Sequence, residues 1–282
     1  MPVITLTTDF GLKDHFVAQV KGRIFSLEPS ATIVDISHQI SPFNLQETAY
    51  ILKNCFADFP EKSVHLIGVN STITPASNHV VVKAKGHYFV GANNGIIPAI
   101  VAGYPIEEAV AVTAYADYSD FPLLETFTKI GTHLINGGSL QLLGRPIATL
   151  ISYPESRGIL SEDASEIRGE IIHIDHFGNL VTNIKKVDVD ARRFGRSIRV
   201  QLRNYQIDQI YASIGSFESQ LEKGQNARAA LGKHIAHYTS SGHLQISIYK
   251  GVPGASGSAE SLLGMSLGST VNLLFISESE KP

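Results

Sequence analysis

Val3-Ile4-Thr5-Leu6-Thr7-Thr8-Asp9-Phe10-Gly11 is a β-branched, apolar run of strand length that ends in a carboxylate, an aromatic ring and a glycine. After it, Phe16, Val17, Val20, Ile24 and Phe25 recur at helical spacing, and Pro29 lies just past the last of them. A second strand-like run covers 32–36. Leu45, Ala49, Leu52 and Phe56 then repeat the helical pattern before Pro60, and a third strand is predicted at 63–69. This βαβαβ order predicts an α/β domain with a central, mostly parallel sheet and right-handed crossovers.

Further along, 80–85 and 87–90 read as two strands around Gly86, and Ala92-Asn93-Asn94-Gly95 carries turn chemistry. The pattern predicts a helix over 127–135, ended by Gly137-Gly138. From 143 to 169 regular periodicity gives way to Pro, Gly, Ser and charge. The boundary is placed there, with an α/β domain at 1–165 and a second domain at 166–282. In the second, strands are predicted at 170–174, 180–184, 197–202, 207–212, 244–249 and 270–275. No long helix separates most of them, which predicts a small all-β barrel or sandwich. The polar stretch 216–233 is predicted to hold one helix.

With 282 residues, 43% of them hydrophobic, the chain can bury a large core. The net charge is −3: residues 1–165 carry 10 Lys/Arg against 15 Asp/Glu, and 166–282 carry 13 against 11. Neither part is basic enough to track a phosphate backbone, so a nucleic-acid partner is not expected. The single Cys55 excludes an internal disulfide and reads as a small buried hydrophobe. The opening residues lack a basic start and a long apolar stretch, and no run of about 18 apolar residues exists. A cytoplasmic protein with no membrane partner is expected.

Open α/β sheets bind ligands beyond the carboxyl ends of their strands. The first strand end delivers Thr8-Asp9, the second Ser37-His38 and then Phe43, the third Asn70-Ser71-Thr72. Asp9, Phe43 and Asn70 therefore line one crevice if the three strands are neighbours, with Asp14 at the start of the first helix. Simpler roles exist for each. Asp9 and Asp14 suit helix capping, and Phe43 suits a hydrophobic staple ahead of the next helix. Downstream, Asp175-His176-Phe177-Gly178-Asn179 repeats the carboxylate–aromatic–glycine theme, and Ser240-Ser241-Gly242 follows. In isolation the first of these blocks is a hairpin turn. Together the blocks point to a polar small molecule with a flat ring. Three spacings suggest a metal: Asp35 with His38, His173 with His176, and His234 with His237. None matches a zinc pattern, so no metal is expected. Glycine-rich phosphate loops are absent, and no cofactor is called for.

Taken in order, the segments are Thr8-Asp9-Phe10-Gly11, Asp35-Ile36-Ser37-His38, Phe89-Val90-Gly91-x-x-Asn94-Gly95, Asp175-x-Phe177-Gly178-Asn179-Leu180-x-Thr182-Asn183 and Ser240-Ser241-Gly242-x-Leu244. This set resembles the S-adenosylmethionine (SAM) hydroxide adenosyltransferases, or SAM hydrolases, a family that includes SAM-dependent fluorinases and chlorinases. The resemblance covers nearly the whole chain. It implies an α/β domain followed by a β-barrel. It also implies a homotrimer whose sites lie between the first domain of one subunit and the second of its neighbour. It implies SAM or adenosine as the ligand. Asp9 matches the aspartate that holds the ribose hydroxyls, and Asp14 one that helps hold the methionine end. Phe43 matches an aromatic that faces the ribose or base. Asp175, Phe177 and Asn179 match a block that binds adenosine and methionine groups, and Ser240 and Ser241 a serine-rich contact near the methionine carboxylate. Ribose hydroxyls suit a carboxylate acceptor, and adenine offers a flat face to Phe.

The chain departs from the family where water is handled. An Asp, an Arg and a His are expected there, and the matching positions are Asn70, Ser77 or Asn78, and Pro122. Asn93 replaces a further Asp, and Gly251-Val252-Pro253-Gly254 stands where the family has Gly-Asn-Ala-Ala near adenine. Asn70 can orient water but cannot accept its proton, and loss of such assistance costs about 10²–10⁴ in rate. Three readings follow. The first is a SAM hydrolase that displaces methionine at the ribose C5′. The second is a non-catalytic SAM- or adenosine-binding protein. The third is a halide adenosyltransferase, which the lack of a long insertion between Tyr88 and Ile106 disfavours for fluoride.

Overall fold

A computed structural model describes residues 2–74, 77–115, 119–221 and 230–276. It divides into two compact units, Met1–Pro154 and Glu155–Pro282.

The first unit holds a seven-stranded sheet: β1 (Ile4–Thr8), β2 (Ile33–Ser37), β3 (Val64–Gly68), β4 (His79–Ala84), β5 (His87–Ala92), β6 (Ile106–Val112) and β7 (Gly144–Pro146). Their order is β2-β1-β3-β5-β4-β6-β7. The pairings β1/β2, β1/β3 and β3/β5 are parallel. The other three, β4/β5, β4/β6 and β6/β7, are antiparallel, so the sheet is mixed where the sequence predicts it mostly parallel. The cause is local. Only Lys85 and Gly86 join β4 to β5, both with positive φ (48° and 72°). A two-residue turn of that kind can only close an antiparallel hairpin.

Helices α1 (Phe16–Leu27), α2 (Leu45–Lys53), α3 (Ile96–Ile100) and α4 (Thr128–Ile135) cover the sheet. Strand side chains alternate between two cores. Ile4, Leu6, Leu66, Val81 and Val90 pack with Val20 and Ile24 of α1 and Ile130 of α4. Ile67, Val80, Val82 and Phe89 pack with Leu52 of α2 and Ile96, Ile97 and Ile100 of α3. The helix predicted at 127–135 is α4, preceded by a π-helical turn over Leu123–Phe127.

The second unit holds β8 (Ile159–Leu160), β9 (Glu166–Ile174), β10 (Leu180–Lys185), β11 (Ser197–Leu202), β12 (Tyr205–Ile207), β13 (Ile210–Tyr211), β14 (His234–Tyr238), β15 (His243–Ile248) and β16 (Thr270–Ile276). The order β12-β11-β16-β9-β10-β15-β14-β13 forms a nearly closed, barrel-like sheet, with β8 added to β9. Short helices α5 (Lys186–Arg193), α6 (Ile214–Gln220) and α7 (Ala259–Leu263) interrupt it. Its core is aliphatic, with Leu180, Ile184, Leu244, Ile246, Val271 and Leu273 at the centre. The strand predicted at 207–212 is two short ones, broken at Asp208-Gln209. Of the helix predicted within 216–233, α6 covers the start, and 222–229 lie outside the described residues. Among the described residues, no helix is long and apolar enough to cross a membrane.

Candidate functional site

In the first unit the carboxyl ends of β2, β1, β3 and β5 lie side by side. Thr8 pairs with Gly68, so Asp9 and Asn70 follow adjacent strand ends. Asp9 is half-buried, and its Oδ2 accepts the Phe43 backbone N–H at 2.8 Å. This bond needs Phe43 in the left-handed region (φ 61°), which is unfavourable for a bulky residue. The Phe43 ring is 71% exposed, so it is no staple; the cap of α2 is Asn44, whose side chain accepts the Glu47 N–H at 3.0 Å. Nor do the aspartates cap α1: its first turn holds no acid, and the residue at the cap, His15, makes no capping bond. Asp14 is exposed and makes no hydrogen bond or ion pair among the described residues.

A polar chain lies directly beneath Asp9. Thr8 Oγ1 is 2.8 Å from His38 Nδ1, and His38 Nε2 is 3.1 Å from Asp35, which also binds Lys21. Burial opposes ionisation of Asp35, but the bonds from Lys21 and His38 outweigh it and hold the carboxyl below its ordinary range. The Gly11 N–H donates to His38 O at 2.7 Å, which fixes the 9–11 turn. Beside it Phe10, Phe16 and Phe121 form a cluster of rings with centroids 5.5–5.8 Å apart.

Asn70 also has a left-handed backbone (φ 45°), and its side chain is exposed. The Asn94 side chain donates to Asn70 O at 3.1 Å and accepts from the Ile96 N–H at 3.3 Å. His79 Nε2 donates to Ser71 O at 2.7 Å. Ser77 pairs back onto Thr74 through two backbone bonds. The Asn93 N–H donates to Asn78 O at 2.7 Å, and Asn93 Oδ1 accepts the Ile151 N–H at 2.9 Å. The backbone of Ser77 and Asn78 and the side chain of Asn93 thus hold these loops together, while the Ser77 hydroxyl is buried with no hydrogen-bond partner among the described residues. Pro122 directly precedes the π-helical turn, an irregularity common near functional sites.

In the second unit, Asp175 organises its own turn. One carboxylate oxygen accepts the Phe177 and Asn179 N–H groups at 2.9 Å each, and the other accepts the Asn179 amide at 2.8 Å. Gly178 (φ 68°) lies against Ser258, where a Cβ would stand 2.4 Å from the serine Cβ, and its carbonyl accepts the Glu260 N–H. The turn therefore sits beside the 251–258 loop. The Phe177 ring is left 63% exposed. Ser240 and Ser241 lie in the β14–β15 turn, both exposed, with Ser241 Oγ 3.0 Å from Thr239 Oγ1. Leu180 pairs with Ile246 and Lys185 with His243, so the 175–179 and 240–242 turns stand at opposite ends of the β10–β15 pair. At about 3.3 Å per residue the separation is roughly 13 Å. Between them, Gln245 pairs with Val181 and with His237, and Gln245 Nε2 donates to Ser247 Oγ at 3.1 Å.

The sequence matches the SAM hydroxide adenosyltransferase N-terminal domain over residues 4–144 and the C-terminal domain over 169–272. The chain belongs to the SAM hydroxide adenosyltransferase family. Within it, the chain is 31% identical over 212 residues to an (R)-S-adenosyl-L-methionine hydrolase of Methanocaldococcus jannaschii, covering 72% of this chain and 74% of that one. It is 24% identical over 276 residues to a fluorinase of Nocardia brasiliensis, covering 87% and 89%. A crystal structure of an uncharacterized conserved protein from Thermotoga maritima superposes with a TM-score of 0.78 at 24% identity, over 96% of this chain and 100% of that one. The last likeness shows the fold alone.

Two parts of this family member's first unit escape a reading by motif. Gly95 (φ 90°) has the Tyr153 ring where a Cβ would stand, 2.4 Å away, so a residue 58 positions on packs over the Asn94 turn. The partner of Ser71 is His79, a histidine opening a strand that continues Val80-Val81-Val82, and that break in pattern is the signal the sequence offers for it.

Proposed function

We propose that this member of the family binds SAM and transfers its adenosyl group to water. Water oxygen attacks the ribose C5′, the C5′–S bond breaks, methionine leaves as a neutral thioether, and the water proton passes to solvent. Asp9 and Asp14 hold the ribose and the methionine end. Asp175, Phe177, Asn179, Ser240 and Ser241 take up the adenosine and methionine groups from the second unit. Asn70 orients the water. The observation that carries this reading is Asp9: it is half-buried at the end of β1, with one oxygen tied to Phe43 and no partner for the other among the described residues. A free carboxylate oxygen suits a ribose hydroxyl donor. The rings of Phe43 and Phe177 stand open within their own units, which fits the homotrimer that the resemblance implies.

A second reading, a SAM- or adenosine-binding protein without turnover, is favoured by one observation. Asn70, Ser77, Asn78 and Pro122 bring no carboxylate, guanidinium or imidazole to the water-handling positions. The purified protein is incubated with SAM and adenosine is followed by liquid chromatography, with Asp9→Ala as control. Adenosine that vanishes in the control supports the hydrolase. No adenosine above the no-enzyme rate removes the first reading, and a SAM titration by calorimetry then decides the second.

A further inference from the structure

The loop after β3 has no regular structure over 71–73 and begins with a non-glycine residue in the left-handed region, Asn70. Something has to hold it. Asn94 grips the carbonyl of Asn70 and His79 grips that of Ser71, at 3.1 and 2.7 Å.

His79 is 1% exposed at the start of β4, its ring stands edge-on to Phe127 at 4.7 Å, and its Nδ1 is buried with no hydrogen-bond partner among the described residues. Because Nε2 meets a carbonyl it must carry the proton, so Nδ1 is a bare lone pair. Burial lowers the pKa and keeps the ring neutral, although the bond to Ser71 opposes the shift. A residue kept only to fill this space would be apolar, since an unpaired buried nitrogen is destabilising. Among the described residues, the bond to Ser71 O is the one hydrogen bond the imidazole makes.

We infer that His79 is the positioning residue of the nucleophile loop, fixing through Ser71 O where residues 70–72 face the substrate. The inference rests on the hydrolase reading for its catalytic consequence, but not for its structural content. His79 touches no reacting atom and acts only through the loop.

Three readouts test it. In wild-type protein, ¹⁵N spectra of His79 at neutral pH should show a single Nε2–H tautomer; the Nδ1–H form, or rapid exchange between the two, overturns the inference. The variants separate bonding from packing. In His79→Gln the amide nitrogen reaches the place of Nε2, whereas in His79→Asn it stops at the place of Nδ1 and misses Ser71. Amide exchange of residues 70–72 should quicken about tenfold in His79→Asn, the order expected for one lost buried bond, and stay within about threefold of wild type in His79→Gln. Adenosine release should follow the same order, through kcat and not KM. Wild-type behaviour of His79→Asn, or equal impairment of both variants, overturns the proposal. If wild-type protein releases no adenosine, the hydrolase reading fails, and the tautomer and exchange results judge His79 alone.

Discussion

The histidine pair at the far end of the first sheet makes a sharp pH prediction. His65, on β3, and His87, on β5, are 0% and 2% exposed, and His65 Nε2 lies 3.2 Å from His87 Nδ1 while Thr5 Oγ1 is 2.8 Å from His65 Nδ1. Burial, reinforced by the neighbouring His87, pushes the His65 pKa down to about 3. An unfolded histidine titrates near 6.5. The unfolded chain therefore binds the proton first, so the native state is fully favoured above about pH 6.5 and loses stability as pH falls towards 3. At about 1.4 kcal/mol per pH unit, lowering the pH from about 6.5 to 5 removes roughly 2 kcal/mol through this residue alone. His65→Gln keeps an amide near the place of Nε2 but cannot titrate. Urea unfolding of both proteins at about pH 7.5 and pH 5 should show the variant losing roughly 2 kcal/mol less than wild type over that interval. Losses from the buried histidines other than His87, which touches His65, are shared by the two proteins. Equal losses in both, to within about 0.5 kcal/mol, would refute the reasoning. Adenosine formation at neutral pH should be unaffected, because the pair sits at the amino end of β3, away from Asn70.

Asp175→Ala removes the acceptor of three turn-closing bonds and should destabilise the second unit by about 1–3 kcal/mol, seen as a lower thermal midpoint; an unmoved midpoint would mean the turn is held from elsewhere. Gly95→Ala places a Cβ in the left-handed region and into the Tyr153 ring. It should cost about 1–3 kcal/mol, and Tyr153→Ala in the same chain should recover part of that loss if the ring is the obstacle. Asn70→Asp returns a proton acceptor to the end of β3 and should raise the rate of adenosine release at least about tenfold; an unchanged rate would mean that water is not handled at this residue.

The sequence exposes those strands whose side chains are mostly apolar or β-branched. The runs that become β1, β3, β4 and β5 are buried nearly throughout and read without ambiguity. β6 opens with Ile106-Glu107-Glu108, all exposed or half-buried, and so gives no clear strand signal until it is paired with β4. α5 buries only Val189 and carries no apolar stripe. Asp9 is legible as a candidate because a carboxylate follows directly on the end of an apolar strand. Its bond to Phe43 is not legible, since nothing in the local sequence calls for a phenylalanine at positive φ. The same holds for Asn94 and Asn70. Each carries an ordinary turn residue's side chain, and their separation of 24 positions conceals that they meet.

The substitutions around Asn70 make sense as a set. The resemblance places two carboxylates, a guanidinium and an imidazole at 70, 93, 77 or 78, and 122. This chain has neutral groups at all of them. A single change would have left a charge without its partner near the strand ends, which is destabilising when buried. Removing the charges together avoids that, and the amides of Asn93 and Asn94 serve as loop ties that need no counter-ion. The consequence for the ligand is specific. In the proposed site, a sulfonium substrate would meet its compensating negative charge at the carboxylates assigned to binding, Asp9, Asp14 and Asp175, and not at Asn70. Two of these behave differently: Asp14 makes no bond or ion pair among the described residues, while Asp175 spends both its oxygens on its own turn. Discrimination between SAM and neutral adenosine should therefore fall on Asp14. Asp14→Asn should weaken SAM by about tenfold, the scale of one charge pair near a surface, and leave adenosine within about twofold. Competition calorimetry with both ligands decides the point, and parallel losses for the two would place the sulfonium away from Asp14.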